Sequence, residues 1–413
     1  MTHPWKGGSV TRLLPTPESV ELLAMVEDYA ADGLASRVDE AEALSEFPRD
    51  VFTVMGDLGL LGLPFDEEYG GGQQPYEVVM QSLEEIARAW LSVGVSLSVH
   101  YLSCFAVANF GTAEQRTQWL PDMIGGGLLG AYCLSESHSG SDAAALATRA
   151  TAVDGGFQVN GTKAWITHGG RADFYSAMVR TSDDGARGIS CLLVEGSCPG
   201  LSSATPERKM GATSSPTAQV IFNDVFVPSE RLVGPLGGGF PVALAALDAG
   251  RLGIAACAVG LAQAALDAAV AYAGERRQFG RPIAEFQGVA FLLADMATAV
   301  ATARAQYVHA SRLKDAGLPF GTQAAMAKLY ATDAAMRVTT DAIQVLGGAG
   351  YTRDFPVERY FREAKALQIV EGTNQIQRMV IGRALQGGSA RLPRPPGPAP
   401  SESCSMAGRS TRR

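Results

Sequence analysis

The apolar residues of this chain change their spacing twice, and these changes limit the folds that it can adopt. From residue 17 to about 128 they recur at the helical period, as at Leu22, Val26 and Tyr29. Between about 129 and 235, short β-branched runs alternate with turn residues, which is typical of strands. A helical period then returns over four long spans, which predicts a helical bundle.

These three textures predict an α+β fold in which a β domain lies between two helical domains. Within the β segment, Asn160-Gly161 predicts a tight turn between strands. The C-terminal residues are rich in Pro, Ser, Gly and Arg and cannot bury enough apolar surface to fold. The predicted boundaries are 1–128 for the N-terminal α-helical domain, 129–236 for the middle antiparallel β domain, 237–388 for the C-terminal four-helix bundle and 389–413 for a disordered tail.

Charge and composition argue against several classes of protein. With a formal net charge of −8 and no basic domain, the chain is not expected to bind nucleic acid. The apolar stretch 252–273 contains Gln263 and Asp267, so we expect a buried helix of a soluble protein and no membrane contact. The six cysteines lack C-x-x-C spacing and the N-terminus lacks a secretory signal, which predicts free thiols, no metal site and a cytoplasmic location.

A lone carboxylate, Glu371, stands in the segment LQIVEGTNQIQR (367–378) between an apolar run and a glycine. Ile369 and Val370 make its surroundings apolar, and desolvation makes a carboxylate more basic. Gly372 lets the backbone pass close to a ligand. A helix-initiating glutamate in a solvated loop is the alternative interpretation.

Several other segments combine hydroxyl, small and charged residues as cofactor-binding loops do. They are AYCLSESHSGSDAAALATRA (131–150), KAWITHGG (163–170), LDAGRLGIAA (247–256), ERRQFGRPIAEFQ (275–287) and QVLGGAGY (344–351). Small residues let amides approach a ligand, tryptophan stacks on a planar ring, and a guanidinium pairs with a diphosphate. The last segment is not a Rossmann fingerprint, because its glycine spacing differs and no strand precedes it.

Together these motifs resemble those of the acyl-CoA dehydrogenase family over nearly all of residues 17–386, and most closely its short- and branched-chain members. In the first motif, Ser137 and His138 replace the Pro-Gly that is usual in the family. Val370 likewise stands where an aromatic residue is usual. The resemblance implies FAD as cofactor, an acyl-CoA substrate and an electron-transferring flavoprotein as electron acceptor. It also implies a homotetramer built as a dimer of dimers.

The resemblance implies two groups of cofactor-binding residues. Those of the middle domain are Tyr132, Cys133, Leu134, Ser135, Gly140, Ser141, Trp165, Ile166 and Thr167. Those of the C-terminal domain are Arg276, Phe279, Gln287, Gln344, Gly347, Gly348, Thr373, Asn374 and Gln375. In relatives, Arg276 and Gln287 correspond to residues that serve the cofactor of a neighbouring subunit, which implies an oligomer.

The resemblance also implies that Glu371 is the catalytic base. The substrate-binding residues that it implies are Ser141, Asp248, Arg251 and Gly372. An α-proton beside a thioester is weakly acidic, so its removal requires a carboxylate that is desolvated and aimed at that hydrogen. Some relatives carry their catalytic carboxylate at the position of Gly250, where this chain has no side chain.

The predicted function is FAD-dependent α,β-dehydrogenation of a short or branched acyl-CoA to the trans-2-enoyl-CoA, with hydride passing to flavin N5. Three alternatives remain open from the sequence. They are a flavin oxidase or monooxygenase of the same fold, an acyl-carrier-protein dehydrogenase of secondary metabolism, and a catalytically silent binding subunit.

Overall fold

The computed structural model describes residues 12–387, so the predicted tail (389–413) lies outside the described residues. Within residues 12–387, six α-helices precede the sheet. The N-terminal α1 agrees with the predicted stripe because Val26 is buried while Leu22 and Tyr29 pack against the core. Thr16 caps α1 by accepting from the backbone N–H of Ser19 at 3.2 Å. The helices are α1 (Pro17–Tyr29), α2 (Val38–Leu44), α3 (Arg49–Asp57), α4 (Tyr76–Ala89), α5 (Leu91–Phe110) and α6 (Ala113–Ile124).

The middle of the chain forms an eight-stranded sheet in the order β6-β7-β3-β2-β4-β5-β8, with β1 beside β4. The sheet is mixed, whereas the sequence predicted an antiparallel one, because β1 runs parallel to β4. One face packs on the helices, and the other holds a separate core. The strands are β1 (Gly130–Cys133), β2 (Arg149–Val153), β3 (Gly156–Thr167), β4 (Phe174–Arg180), β5 (Ile189–Glu195), β6 (Leu201–Ser203), β7 (Thr217–Pro228) and β8 (Leu232–Val233).

The tight turn predicted at Asn160-Gly161 is wrong, because both residues lie inside the continuous strand β3. The Asn160 side chain instead pairs with Asp224 of β7, donating to its Oδ1 at 2.9 Å and accepting from its N–H at 2.9 Å. The register of β3 against β7 shifts at this point, which indicates a β-bulge. A Cβ at Gly161 would lie 2.7 Å from the Cα of Thr148, so the glycine permits close strand packing.

The C-terminal helices confirm the predicted bundle and add one helix, α10, that the sequence did not predict. The elements are α7 (Gly239–Glu275), a small hairpin of β9 (Arg277–Gln278) and β10 (Arg281–Pro282), α8 (Gln287–Asp315), α9 (Gly321–Leu346), α10 (Val357–Leu367) and α11 (Asn374–Leu385). Three described helices, α5, α7 and α8, are long and apolar enough to cross a membrane by length and composition alone. The most apolar windows of α5 and α7 are each 78% buried within the protein, and that of α8 only 22%. The predicted burial of 252–273, within α7, is therefore confirmed.

Candidate active site

Glu371 lies in the short loop that joins α10 to α11. Its φ is +51° and that of Gly372 is +91°, so two consecutive residues have the left-handed conformation. For a residue with a Cβ this costs about 1 kcal/mol or more, and such strain is found where the surroundings hold a functional side chain. Thr373 then caps α11 by accepting from the backbone N–H of Ile376 at 3.4 Å. The loop is therefore a specified turn.

Polar side chains from α9 and α11 hold this turn. The Lys328 ammonium donates to the carbonyl of Gly372 at 3.0 Å and to Oδ1 of Asn374 at 2.9 Å. Gln377 donates to the same Gly372 carbonyl at 2.8 Å. The Lys328 side chain is fully buried, and burial lowers its pKa to about 8 although the nearby Glu371 opposes that shift.

The Glu371 carboxylate is buried, and neither of its oxygens has a hydrogen-bond partner among residues 12–387. Burial raises its pKa to about 7, and the cations Lys328 and Arg251 limit the rise. A Cβ built at Gly250 would lie 2.1 Å from Oε2 of Glu371. The carboxylate therefore occupies the space that a side chain at position 250 would fill. A buried, unpartnered carboxylate that titrates near neutrality has the properties of a general base.

A cleft with a cavity volume of about 100 Å³ opens to solvent beside Gly250, between α4, α5 and α7. Its walls are mostly aromatic and aliphatic: they include Phe65, Tyr69, Tyr76, Met80, Tyr101, Leu102 and Phe105. The Tyr76 hydroxyl donates to the carbonyl of Ala249 at 3.2 Å, and that of Tyr101 to the carbonyl of Leu60. The protein satisfies these two hydroxyls, so this aromatic and aliphatic part of the wall suits an acyl chain, while Asp66, Ser98, Asn109 and Lys314 give the cleft a polar part as well.

Trp165 of β3 is 56% exposed and has a φ of +56°, which is unusual for a bulky residue. The backbone N–H of Ala164 donates to the carbonyl of Ser135 at 2.9 Å, which places the hydroxyl-rich loop after β1 beside the indole. An exposed aromatic face next to small hydroxyl residues fits a flavin, whose ring is planar and has a polar edge. The residues present here therefore fit FAD.

A buried ion pair braces this loop. The Lys163 ammonium, which is fully buried, donates to Oε1 of Glu136 at 2.8 Å and to the carbonyl of Leu134 at 3.0 Å. Glu136 also accepts from the backbone N–H groups of Ala147 and Thr148 at 2.7 and 2.9 Å. Burial opposes its ionisation, but Lys163 and these hydrogen bonds outweigh burial and lower the Glu136 pKa to about 2.

The middle-domain residues predicted to bind the cofactor differ in exposure. Cys133 and Ile166 lie in the sheet core, and Tyr132 and Leu134 lie in the helical core, so these four can offer only backbone groups. The side chains or Cα atoms that reach the surface, wholly or in part, are those of Ser135, Gly140, Ser141, Trp165 and Thr167. Burial, Cys191 and Glu371 together raise the pKa of Tyr132, so the end of β1 lies near the Glu371 carboxylate.

The predicted residues of the C-terminal domain fall into separate places. Gly250, beneath Glu371, and Arg276, beyond the end of α7, are about 39 Å apart along the helix axis at roughly 1.5 Å per residue. The other exposed members of this group are Phe279, Gln287, Gln344, Gly347, Gly348 and Gln375. The fold therefore does not bring Arg276 to Glu371 within one chain.

The contacts change one predicted assignment, that of Asn374, and leave those of Asp248 and Arg251 as predictions. The Asn374 side chain points into the bundle, where it accepts from Lys328 and donates to Thr332 at 2.9 Å and to Asp333 at 2.7 Å, so it has no group left for a flavin. Asp248 and Arg251 are buried and paired with each other. Their main contact is mutual, and Arg251 contributes its charge to the surroundings of Glu371.

Two residues at the site, Lys163 and Lys328, were missed by the sequence reasoning. Each is a lysine among apolar or small residues, in GTKAWIT and in AAMAKLYA. A lysine rarely becomes fully buried unless it is paired, so its place in an apolar run is the signal that could have identified them.

Sequence models of the acyl-CoA dehydrogenase family match the chain in all three domains: the N-terminal domain at residues 16–127, the middle domain at 131–225 and the C-terminal domain at 237–386. An acyl-CoA dehydrogenase of Bacillus subtilis is 45% identical over 376 residues, which are 91% of this chain and 99% of that protein.

Two solved structures share the fold. The butyryl-CoA dehydrogenase of Megasphaera elsdenii is 38% identical with a TM-score of 0.89, covering 91% of this chain and 100% of that chain. A chain of a structure described as the electron transferring flavoprotein of Acidaminococcus fermentans is 41% identical with a TM-score of 0.89, covering 91% and 99%. From these matches and the site geometry, the protein belongs to the acyl-CoA dehydrogenase family and is an FAD-dependent oxidoreductase that dehydrogenates acyl-CoA thioesters.

Proposed function

We propose that this enzyme converts a short-chain acyl-CoA into the trans-2-enoyl-CoA with Glu371 as the base that removes the α-proton. One observation carries this proposal: the Glu371 carboxylate is buried without a hydrogen-bond partner among residues 12–387, beside a cleft lined mainly by aromatic and aliphatic side chains. With a pKa of about 7, it is ionised in a large fraction of molecules near neutral pH yet basic enough to accept a proton.

The loop also offers donors for the thioester carbonyl. The backbone N–H groups of Glu371 and Gly372 donate no hydrogen bond within residues 12–387. We assign them to the carbonyl oxygen, where negative charge develops as the α-proton leaves. Trp165, Thr167 and the loop from Ser135 would hold FAD, which would supply the acceptor for the β-hydride. The burial of the carboxylate among protein atoms keeps water away from it, which preserves its basicity.

The proposed substrate length rests on the cleft and on one relative. A cavity of about 100 Å³ that opens to solvent favours a short acyl chain over a long one. The similar Megasphaera elsdenii protein is named for butyryl-CoA. A panel of butyryl, isobutyryl, isovaleryl, hexanoyl and octanoyl thioesters, scored by anaerobic bleaching of the flavin, tests this; octanoyl-CoA as the best substrate would contradict it.

The direct test of the base is Glu371→Gln, which keeps the shape and removes the basic oxygen. Turnover of butyryl-CoA should fall by at least about 1,000-fold while the variant still binds FAD and the thioester. A variant that dehydrogenates its best substrate as fast as the parent would refute the assignment.

We propose an electron-transferring flavoprotein as the acceptor, supported by the similarity to the Acidaminococcus fermentans structure. The alternative oxidase function predicts rapid reoxidation of the reduced enzyme by air. Stopped-flow reoxidation with product bound separates the two, because a dehydrogenase should react slowly with oxygen.

We also propose that the protein assembles into the predicted homotetramer. The apolar window of α8 is only 22% buried, and Phe279 and Phe291 are 94% and 59% exposed in the single chain. Exposed apolar surface of this kind is typical of an interface. It would also bring Arg276 of one subunit to the flavin of another. Light scattering on the purified protein should give four times the chain mass.

A further inference from the structure

The ammonium of Lys328 is a charge placed where charges are costly. Lys328 lies on α9 and has no exposed surface. Its neighbours in the segment AAMAKLYA are mainly alanine, leucine and methionine. A buried ammonium is retained only where hydrogen bonds or an opposite charge compensate for its lost hydration. Among residues 12–387 it makes no ion pair within 4.0 Å. Its function must therefore be sought in the groups that it contacts.

Those contacts converge on the loop that carries Glu371. Lys328 donates to the carbonyl of Gly372 at 3.0 Å and to Asn374 at 2.9 Å, at the start of α11. Asn374 is in turn fixed by Thr332, one turn further along α9. Together these bonds tie both sides of the left-handed turn at Glu371 and Gly372 to a rigid helix.

We propose that Lys328 is the positioning residue of the active site: by holding the Gly372 carbonyl and Asn374, its ammonium fixes the turn that directs the Glu371 carboxylate into the space above Gly250, and its charge keeps that carboxylate ionised. This rests on the proposed role of Glu371 as the base.

The charged and titratable groups around Glu371 show why Lys328 matters for ionisation. Arg251 of α7 is the other cation, but it is already paired with Asp248. Tyr76 of α4, Tyr132 of β1 and Cys257 of α7 also face the carboxylate, and burial keeps all three neutral by raising their pKa values. Lys328 is thus the cation whose charge no carboxylate within 4.0 Å neutralises.

Asp333, the remaining anion near Lys328, is engaged elsewhere. Its Oδ1 accepts from Gln368 at 2.6 Å and from Asn374 at 2.7 Å, and its Oδ2 pairs with Arg378 at 3.0 Å. The positive charge of Lys328 therefore interacts mainly with the Glu371 carboxylate. Because a cation favours the ionised carboxylate, loss of Lys328 should raise the Glu371 pKa above about 7.

The test follows α-proton removal without hydride transfer. A CoA thioester with sulfur at the β position of its acyl group has no β-hydrogen to lose, so in D₂O the holoenzyme can only exchange its α-protons for deuterium. Mass spectrometry measures that exchange between pH 5 and 9. For Lys328→Met we expect the midpoint of the rising limb to move up by about one pH unit. The rate at pH 7 should fall at least about 5-fold from the smaller ionised fraction alone.

Matched variants separate charge from contact. Thr332→Val removes a hydrogen bond to Asn374 without changing any charge, so its midpoint should stay within about 0.2 units of the parent while its rate falls only slightly. Lys328→Gln can still donate to Gly372 but is neutral, so it should show the shifted midpoint with a smaller loss of rate at pH 9. If Lys328→Met fails to fold or bind FAD, Lys328→Gln carries the test.

The outcomes distinguish this inference from the proposed function. An unshifted midpoint in Lys328→Gln and Lys328→Met overturns the role of Lys328, provided that Glu371→Gln abolishes exchange. If Glu371→Gln exchanges α-protons like the parent, the proposed base is wrong and the inference fails with it. An equal shift in Thr332→Val would also overturn it, because the effect would then be a general loosening of the loop.

Discussion

The clearest test of the site geometry is to add one methyl group at Gly250. A Cβ at this position would lie 2.1 Å from Oε2 of Glu371 and 3.0 Å from its Cδ. Carbon and oxygen atoms that are not bonded need more than about 3.2 Å, so the carboxylate of a Gly250→Ala variant must move by about 1 Å or more. The nearest atoms belong to the end of a side chain, which can rotate away.

Because the flexible Glu371 side chain can move to relieve the clash, we expect Gly250→Ala to lower the catalytic rate and to leave the stability of the fold nearly unchanged. A misplacement of about 1 Å reduces the rate of a positioned reaction by about 100-fold, or about 2.7 kcal/mol in the activation free energy. Alanine is favoured over glycine within a helix by up to about 1 kcal/mol, which offsets part of any strain in α7. We therefore expect a folded, FAD-loaded variant with turnover of butyryl-CoA reduced about 100-fold.

Steady-state kinetics with butyryl-CoA, flavin absorbance and thermal melting measure these three properties. Gly274→Ala is the matched control, since it lies on the same helix with no atom within 4 Å of the added Cβ, and it should keep parental turnover. Combining Gly250→Ala with Glu371→Asp gives a further check. The shorter aspartate side chain withdraws from the methyl group added at position 250. In the Glu371→Asp background, Gly250→Ala should therefore reduce turnover by a smaller factor. A fully loaded Gly250→Ala enzyme with more than about one third of parental turnover would refute the geometry.

Other predictions concern pH and stability. Because Glu371 acts in its ionised form with a pKa of about 7, kcat/KM for butyryl-CoA should rise with pH through a midpoint near 7; a midpoint below about 5 would contradict a desolvated base. Burial raises the pKa of this carboxyl above its ordinary 4.5, so its ionisation destabilises the fold as pH rises from about 4.5 to 7. Glu371→Gln should therefore melt at a higher temperature than the parent at pH 8 and at the same temperature at pH 4.5, and equal melting at both would argue against burial. Lys163→Met leaves Glu136 buried without its cation, so it should lose about 3 to 5 kcal/mol of stability in denaturant titrations, whereas Lys163→Met together with Glu136→Gln should recover part of that loss.

The sequence determined the elements whose signals are local. The change of apolar spacing near residues 128 and 236 depends only on neighbours three, four or two positions away, and the observed helices and strands follow it. The local pattern of a carboxylate between an apolar run and a glycine singled out the Glu371-Gly372 pair, but the resemblance to the family's loop was what implied that Glu371 is the base.

The tertiary structure decided the features that depend on residues far apart in sequence. Asn160-Gly161 has the local pattern of a turn, but the contact with Asp224 makes it part of a strand. The absence of a side chain at Gly250 matters for the site because the α10–α11 loop packs back against α7 and places the Glu371 carboxylate in that space. The same return places Lys328 beneath that loop. Short-range spacing fixes which residues share a face of an element, whereas packing of distant segments fixes which charges meet, and the basicity of Glu371 depends on the latter.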